Sequence, residues 1–198
     1  MCIRDRARAQ SKPLFVYWGA KWCPPCNQLK ANLFPRPDFI EQTRRFVAVN
    51  VDGDDPDAQR WAEHFGAMGY PTLIVFDPQG NEITRLSSGM ELERYARVLA
   101  TSASGRSLQE LVLQATTDAS LLTTEEWERL AWYPWAVDED RTMLATERLA
   151  LFELLRESNP PTDILQRRVE LVWWLEREFQ QQLDLLSEAE VHLSLIHI

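Results

Sequence analysis

The stretch that most constrains this chain is Lys21-Trp22-Cys23-Pro24-Pro25-Cys26, at the junction between an apolar run and a helical pattern. Leu14-Phe15-Val16-Tyr17-Trp18 is continuously apolar and β-prone, as expected of a strand buried on both faces. After Cys26 the period changes: Leu29 and Leu33 fall four apart, with Gln28, Lys30 and Asn32 polar, as on one face of a helix. Pro24 and Pro25 are tolerated just inside the helix start, because first-turn N–H groups have no intrahelical partner. Cys23 is therefore expected at a helix N-terminus, where unpaired N–H groups and the macrodipole favour negative charge. A thiol there ionises more easily, and the thiolate is the nucleophile. Cys26 lies close enough in sequence to close a small disulfide ring. The two read as a redox pair: Cys23 attacks a target disulfide, and Cys26 then attacks the mixed disulfide and releases the reduced substrate. A structural disulfide or half of a zinc site are the bland alternatives. Zinc sites want four ligands, however, and there is no second CxxC and no HxxxH; His64 and His192 stand alone.

Trp22-Cys23-x-x-Cys26 after a buried strand resembles the thioredoxin superfamily. Gly69-Tyr70-Pro71-Thr72, followed by the strand-like Leu73-Ile74-Val75-Phe76, is similar to that family's second hallmark, a cis-proline loop. The resemblance covers residues 12 to 100, about half of the chain. It implies a thioredoxin fold with Pro71 facing the cysteine pair. The backbone ahead of Pro71 would then pair with an extended substrate segment. Cys23 and Cys26 would be catalytic, and Trp22, Tyr70 and Pro71 would bind substrate. Trp18 is expected in the core and Trp22 exposed beside Cys23, while Lys21 and Lys30 are read as solvated charges, with stabilisation of the thiolate by Lys21 as the alternative. The sequence also departs from the family. Thioredoxins pair a buried Asp, six residues before the first cysteine, with a Lys on the next strand, and those positions correspond here to Tyr17 and Ala48. Water or Tyr17 is left to accept the proton of Cys26.

The activity so implied is that of a thiol–disulfide oxidoreductase, reducing or exchanging protein disulfides through Cys-Pro-Pro-Cys. It would need no cofactor beyond the Cys23–Cys26 disulfide. Its partners would be protein disulfide or dithiol substrates and an upstream thiol donor. The alternatives are a non-catalytic binding module whose helical extension docks a partner protein, and an envelope metallochaperone carrying copper on the cysteine pair. The run from Lys12 to Cys26 resembles thioredoxin-like proteins of the bacterial envelope, which implies a periplasmic location; the cytoplasm is the alternative.

Both termini have a distinct character. Met1-Cys2-Ile3-Arg4-Asp5-Arg6 and Leu193-Ser194-Leu195-Ile196-His197-Ile198 are what the two strands of one sequencing-library adapter encode. They are read as scars, which makes the chain a fragment with any export signal lost from its N-terminus. Without them, 19 basic and 29 acidic residues leave a formal charge of −10 rather than −9. That balance argues against nucleic acid or an anionic membrane surface as partner. No apolar run approaches the roughly twenty residues of a transmembrane helix.

The rest of the chain fills in the two halves. Ala7–Gln10 reads as the end of a helix, Phe34-Pro35-Arg36-Pro37-Asp38 as a break, 46–51 as a strand, and Asp52-Gly53-Asp54-Asp55-Pro56 as a loop. Asp55 is the expected N-cap of the next helix, with Pro56 in its first turn and Ala58, Trp61, Ala62 and Phe65 on one face. Asp77-Pro78-Gln79-Gly80 is a turn into a weaker strand through Ile83 and Leu86, and Leu92, Tyr95, Ala96 and Leu99 mark a closing helix. The β-α-β-α-β-β-α order predicts an α/β thioredoxin fold, a central mixed sheet flanked by helices, over residues 7–104. Ser102–Ser107 reads as a linker. An all-α extension follows over 105–192, with a capping box at Thr123/Glu126, a helix from about Asp140 to Glu157, and a third from Asp163. Within the aromatic group Trp127, Trp132, Tyr133, Trp135, Trp173 and Trp174, Trp127 is expected to hold the core. Trp135, following Pro134, is expected to be exposed to a partner.

Overall fold

A computed structural model describes residues 3–86, 91–103, 105–137 and 143–196. The first half runs α1 (Ile3–Gln10), β1 (Leu14–Gly19), α2 (Pro24–Asn32), α3 (Pro37–Thr43), β2 (Val47–Asp52), α4 (Ala58–Phe65), β3 (Thr72–Phe76), β4 (Glu82–Leu86) and α5 (Leu92–Ser102). The strands form one sheet in the order β2-β1-β3-β4, with β1 parallel to β2 and antiparallel to β3, and β3 antiparallel to β4. The expected mixed sheet is present. β1 lies inside it, and Phe15, Val16, Tyr17 and Trp18 are all buried, which is why that run is apolar on both faces.

Phe15 and Tyr17 point into a core shared with Leu29 and Leu33 at α2, Phe39 of α3, and Tyr95, Ala96, Val98 and Leu99 of α5. On the opposite face, Val16 pairs with Ile74 and Ile74 with Arg85. Arg85 is fully buried there, with Nη1 donating to Gly66 O and Nη2 to Phe65 O, each at 2.8 Å, while Glu82 takes its Nε at 2.8 Å. Those carbonyls end α4, so a guanidinium sits where the helix dipole favours a cation. Gly66, at φ 56°, supplies the left-handed residue on which α4 stops.

Three local expectations need correcting. Pro35 and Pro37 do break α2, but Pro37 also opens α3, where a first-turn proline is tolerated. Asp55 is not the cap of α4: Asp57 holds that place without a side-chain bond, and the helix starts at Ala58. Ser102 and Ser107 are not linker residues in character. Ser102 is the buried last residue of α5, and Ser107 is the N-cap of the next helix in a complete capping box with Glu110. Ser104, between them, lies outside the described residues.

The second half is helical: α6 (Leu108–Asp118), α7 (Thr124–Trp132), α8 (Ala145–Glu157) and α9 (Asp163–Ile196). The Thr123/Glu126 capping box opens α7 as expected. The predicted start near Asp140 lies outside the described residues, and α8 begins at Ala145. A second core gathers Leu111, Trp127, Leu130, Tyr133, Phe152, Leu155 and Val169. Trp127 belongs to it. So does Trp135, against expectation: it is 2% exposed, meets Phe152 edge-on at 5.8 Å, and gives Nε1–H to Leu130 O at 2.8 Å. The turn after Pro134 folds the indole back, where it satisfies a carbonyl near the end of α7 that would otherwise lack a donor. Trp174 is the exposed indole of the group, at 49%.

Candidate active site

Cys23 and Cys26 are joined as a disulfide, with Cα atoms 5.2 Å apart. Pro24 and Pro25 occupy the first two positions of α2, and Cys23 is its N-cap. The Cys23 Sγ accepts the Cys26 backbone N–H at 3.2 Å, the bond an N-cap oxygen usually makes. The sulfur of Cys23 therefore stands where the helix N-terminus favours a thiolate. Both residues are buried, Cys23 at 2% and Cys26 at 0% exposed.

Beside the disulfide is an aromatic rim. Trp22 is 65% exposed and its Nε1–H donates to Asp54 Oδ1 at 2.8 Å. Its ring meets Tyr70 edge-on at 5.4 Å, and Tyr70 stacks on the buried Trp18 at 5.6 Å. Two predicted binding residues, Trp22 and Tyr70, are thus brought together, with Trp18 beneath them as core. Tyr70 packs against the cluster that holds both cysteines, and the Tyr70–Pro71 peptide bond is cis. The loop after β2 closes the rim. A Cβ at Gly53 would overlap the Tyr70 ring, so only glycine lets the backbone approach there. Gly53 N–H donates to Gly19 O at 2.8 Å and ties this loop to the end of β1.

The charges around the rim come from the same loop. Asp52 accepts the Asp54 N–H, which together with Lys21, 3.3 Å away, holds its carboxyl below the usual range. Burial, reinforced by Asp54 and Asp52, pushes the Tyr70 phenol up. Reading the sequence as a bare Asp52-Gly53-Asp54 loop missed both the indole acceptor and the glycine contact. The one available signal was a glycine between two acidic residues directly after a strand.

Tyr17 stands where a buried Asp was expected, but Ala48 is not its neighbour. Asn50 faces Tyr17 across β1 and β2, and Ala48 faces Phe15 on the half-open edge strand. The cation near Tyr17 comes instead from Lys30 of α2, whose Nζ is 5.7 Å from the ring centroid. Burial, helped by Asp52, pushes the Tyr17 phenol up to about 12. At neutral pH it is therefore a hydrogen-bond donor and not the base that sequence reasoning suggested for Cys26.

Residues 4–103 match the Thioredoxin-like domain family. Among curated relatives, the thiol:disulfide interchange protein DsbD of Pseudoalteromonas atlantica is 33% identical over 94 residues, 46% of this chain and 16% of the relative. The DsbD of Yersinia pestis is 29% identical over 97 residues, again 16% of its length. The chain thus spans about a sixth of the relatives it matches. Among solved structures, a thioredoxin from Thermus thermophilus aligns with a TM-score of 0.45 and 26% identity, over 49% of this chain and 78% of that one. The oxidised C-terminal domain of Neisseria meningitidis DsbD aligns with a TM-score of 0.44 and 18% identity, over 50% and 89%. With half of its length matched and a disulfide between Cys23 and Cys26 at the head of α2, the chain belongs to the thioredoxin-like domain family.

Proposed function

We propose that this chain is a thiol–disulfide oxidoreductase that reduces or exchanges protein disulfides through Cys23 and Cys26. The observation that carries this reading is Cys23 Sγ acting as the N-cap acceptor of α2 while bonded to Cys26, directly beside an indole that is 65% exposed. In the reduced protein, the Cys23 thiolate attacks one sulfur of a substrate disulfide. A Cys23–substrate bond forms, and the other substrate sulfur leaves as a thiolate that takes a proton from water. Cys26 then attacks Cys23, the internal disulfide forms, and the second substrate sulfur leaves in the same way. Trp22 and Tyr70 supply apolar contact for the approaching chain, and the backbone at Tyr70–Pro71 offers it a strand-like edge. An upstream dithiol partner returns the pair to its reduced form.

The periplasm is the proposed location, supported by the resemblance of the Lys12–Cys26 run to envelope thioredoxin-like proteins. No helix among the described residues is long and apolar enough to cross a membrane. Insulin reduction driven by dithiothreitol tests the activity. Wild type should accelerate precipitation of the insulin chains and Cys23→Ser should not. Equal rates for the two would mean that the cysteines are incidental and that the thioredoxin-like half acts as a binding module.

A further inference from the structure

The Tyr17 hydroxyl is buried in the core that contains the disulfide, and among the described residues it has no hydrogen-bond partner. Buried hydroxyls nearly always have one, so an orphan in a redox site calls for a reason. Its position suggests one. A Cβ at Gly19 would overlap the Tyr17 hydroxyl, so the phenol lies along β1 toward the end of the strand from which the cysteine loop departs. The Lys30 ammonium lies 5.7 Å from the centre of the same ring, and Lys30 is one helical turn beyond Cys26, on the same stripe of α2. Tyr17 and Cys26 belong to the same buried cluster.

Cys26 is fully buried in the oxidised protein, and once reduced it must ionise to attack the mixed disulfide. Its own backbone N–H is directed at Cys23 Sγ. We propose that the Tyr17 hydroxyl is the hydrogen-bond donor that holds the Cys26 thiolate, a positioning residue for the resolving step. This rests on the oxidoreductase reading above. The Cys26 proton passes to water and Tyr17 keeps its own. The thiolate attacks Cys23 Sγ, the Cys23–Cys26 bond forms, the Cys23–substrate bond breaks, and the leaving sulfur is protonated by water. The charged groups around the phenol are Lys30 on α2, Asp52 at the end of β2, and Lys21, which pairs with Asp52 at 3.3 Å. Phe34 covers its edge at 5.0 Å, and Asn50 and Leu73 face it across the sheet. Burial, helped by Asp52, opposes ionisation of the phenol, so the hydroxyl remains a donor across the neutral range.

The test is Tyr17→Phe, read by pH-dependent alkylation of the reduced protein with each cysteine resolved by tandem mass spectrometry. Losing a donor to a charged sulfur should raise the Cys26 pKa by about one unit or more, and lengthen the lifetime of the mixed disulfide about tenfold at pH 7. The gap should close as the pH rises above that pKa, and Cys23 should be affected less. The oxidised variant should melt no lower than wild type, since only an unpartnered hydroxyl is removed. As a second arm that leaves the side chain in place, 3-fluorotyrosine at position 17, a stronger donor, should lower the Cys26 pKa. An unchanged Cys26 pKa in both proteins would overturn the assignment. Because alkylation needs no substrate, that outcome is distinct from failure of the oxidoreductase reading, which is judged by wild type against Cys23→Ser on insulin.

Discussion

Replacing Pro25 by alanine should make the cysteine pair a stronger oxidant. An N-cap side chain is served by the N–H groups of the second and third helical positions. In α2 the third is used, Cys26 N to Cys23 Sγ at 3.2 Å, while the second belongs to Pro25, which has no N–H to give. With one donor, wild-type Cys23 should have a pKa nearer ~7 than ~3.5 and a potential nearer about −270 mV than about −120 mV. Alanine at 25 restores the missing donor in a frame already aimed at the sulfur. A hydrogen bond to a charged group contributes about 1.5–3 kcal/mol net, and a large diffuse sulfur takes the low end. A gain of ~1.4 kcal/mol lowers the thiol pKa by about one unit. The disulfide carries no charge to stabilise, so the benefit falls on the reduced state alone and the potential rises by about 30 mV. Glutathione titration gives the potential, and thiolate absorbance against pH gives the pKa. An unchanged potential and pKa in Pro25→Ala, or a wild-type potential near the oxidant end, would refute the argument.

Trp135→Ala and Trp127→Ala should each destabilise the protein by about 3–5 kcal/mol in urea unfolding, since both indoles are core. A small loss at Trp135 would mean that its turn opens in solution. Asp54→Ala frees the Trp22 indole and should raise KM for a protein disulfide more than it lowers kcat, with stability changed by no more than about 0.5 kcal/mol. A kcat effect alone would remove Trp22 from substrate binding. Glu126 is held below the usual 4.5 by Arg106, 2.7 Å away, and by the Thr123 N–H. Its contribution to stability is complete above that value and is lost as pH falls through the depressed pKa, so Glu126→Gln should flatten the acid limb of the urea midpoint below pH 4.5.

The parts of this molecule set by local chemistry were readable from the sequence. An apolar run, a cysteine pair and two first-turn prolines place β1, Cys23 and α2 without reference to anything distant. What failed depended on register or on chain reversal. Which residue faces Tyr17 depends on the β1–β2 offset, which sets Asn50 opposite it and Ala48 opposite Phe15. Trp135 was misjudged because a proline break suggests exposure, whereas the chain turns back and the indole N–H finds the Leu130 carbonyl. Asp54 was invisible for the same reason: its partner, Trp22, is 32 residues away.

The helical half also has a structural task that changes how the two halves should be divided. β4 is an outer strand of the sheet, and an outer strand offers unpaired carbonyls to any neighbouring chain. Arg129 of α7 donates Nη2 to the Ile83 carbonyl of β4 and to the Arg106 carbonyl, and the absence of a side chain at Gly105 leaves room for the guanidinium. Burial lowers the Arg129 pKa to about 10, which still leaves it charged at neutral pH. Tyr133 reaches Glu82 at 3.2 Å, and Trp132 lies between Arg94 of α5, 3.4 Å away, and Arg168 of α9, 4.4 Å away. The two apolar cores are separate, and the buried Arg129 and the stacked Arg94 and Arg168 lie in the seam between them. Cutting the chain at the boundary expected near residue 104 should uncover the β4 edge and remove the Trp132 ring on which Arg94 stacks. The helices therefore cover part of the β4 edge of the thioredoxin-like half, through Arg129 on the Ile83 carbonyl and Tyr133 on Glu82.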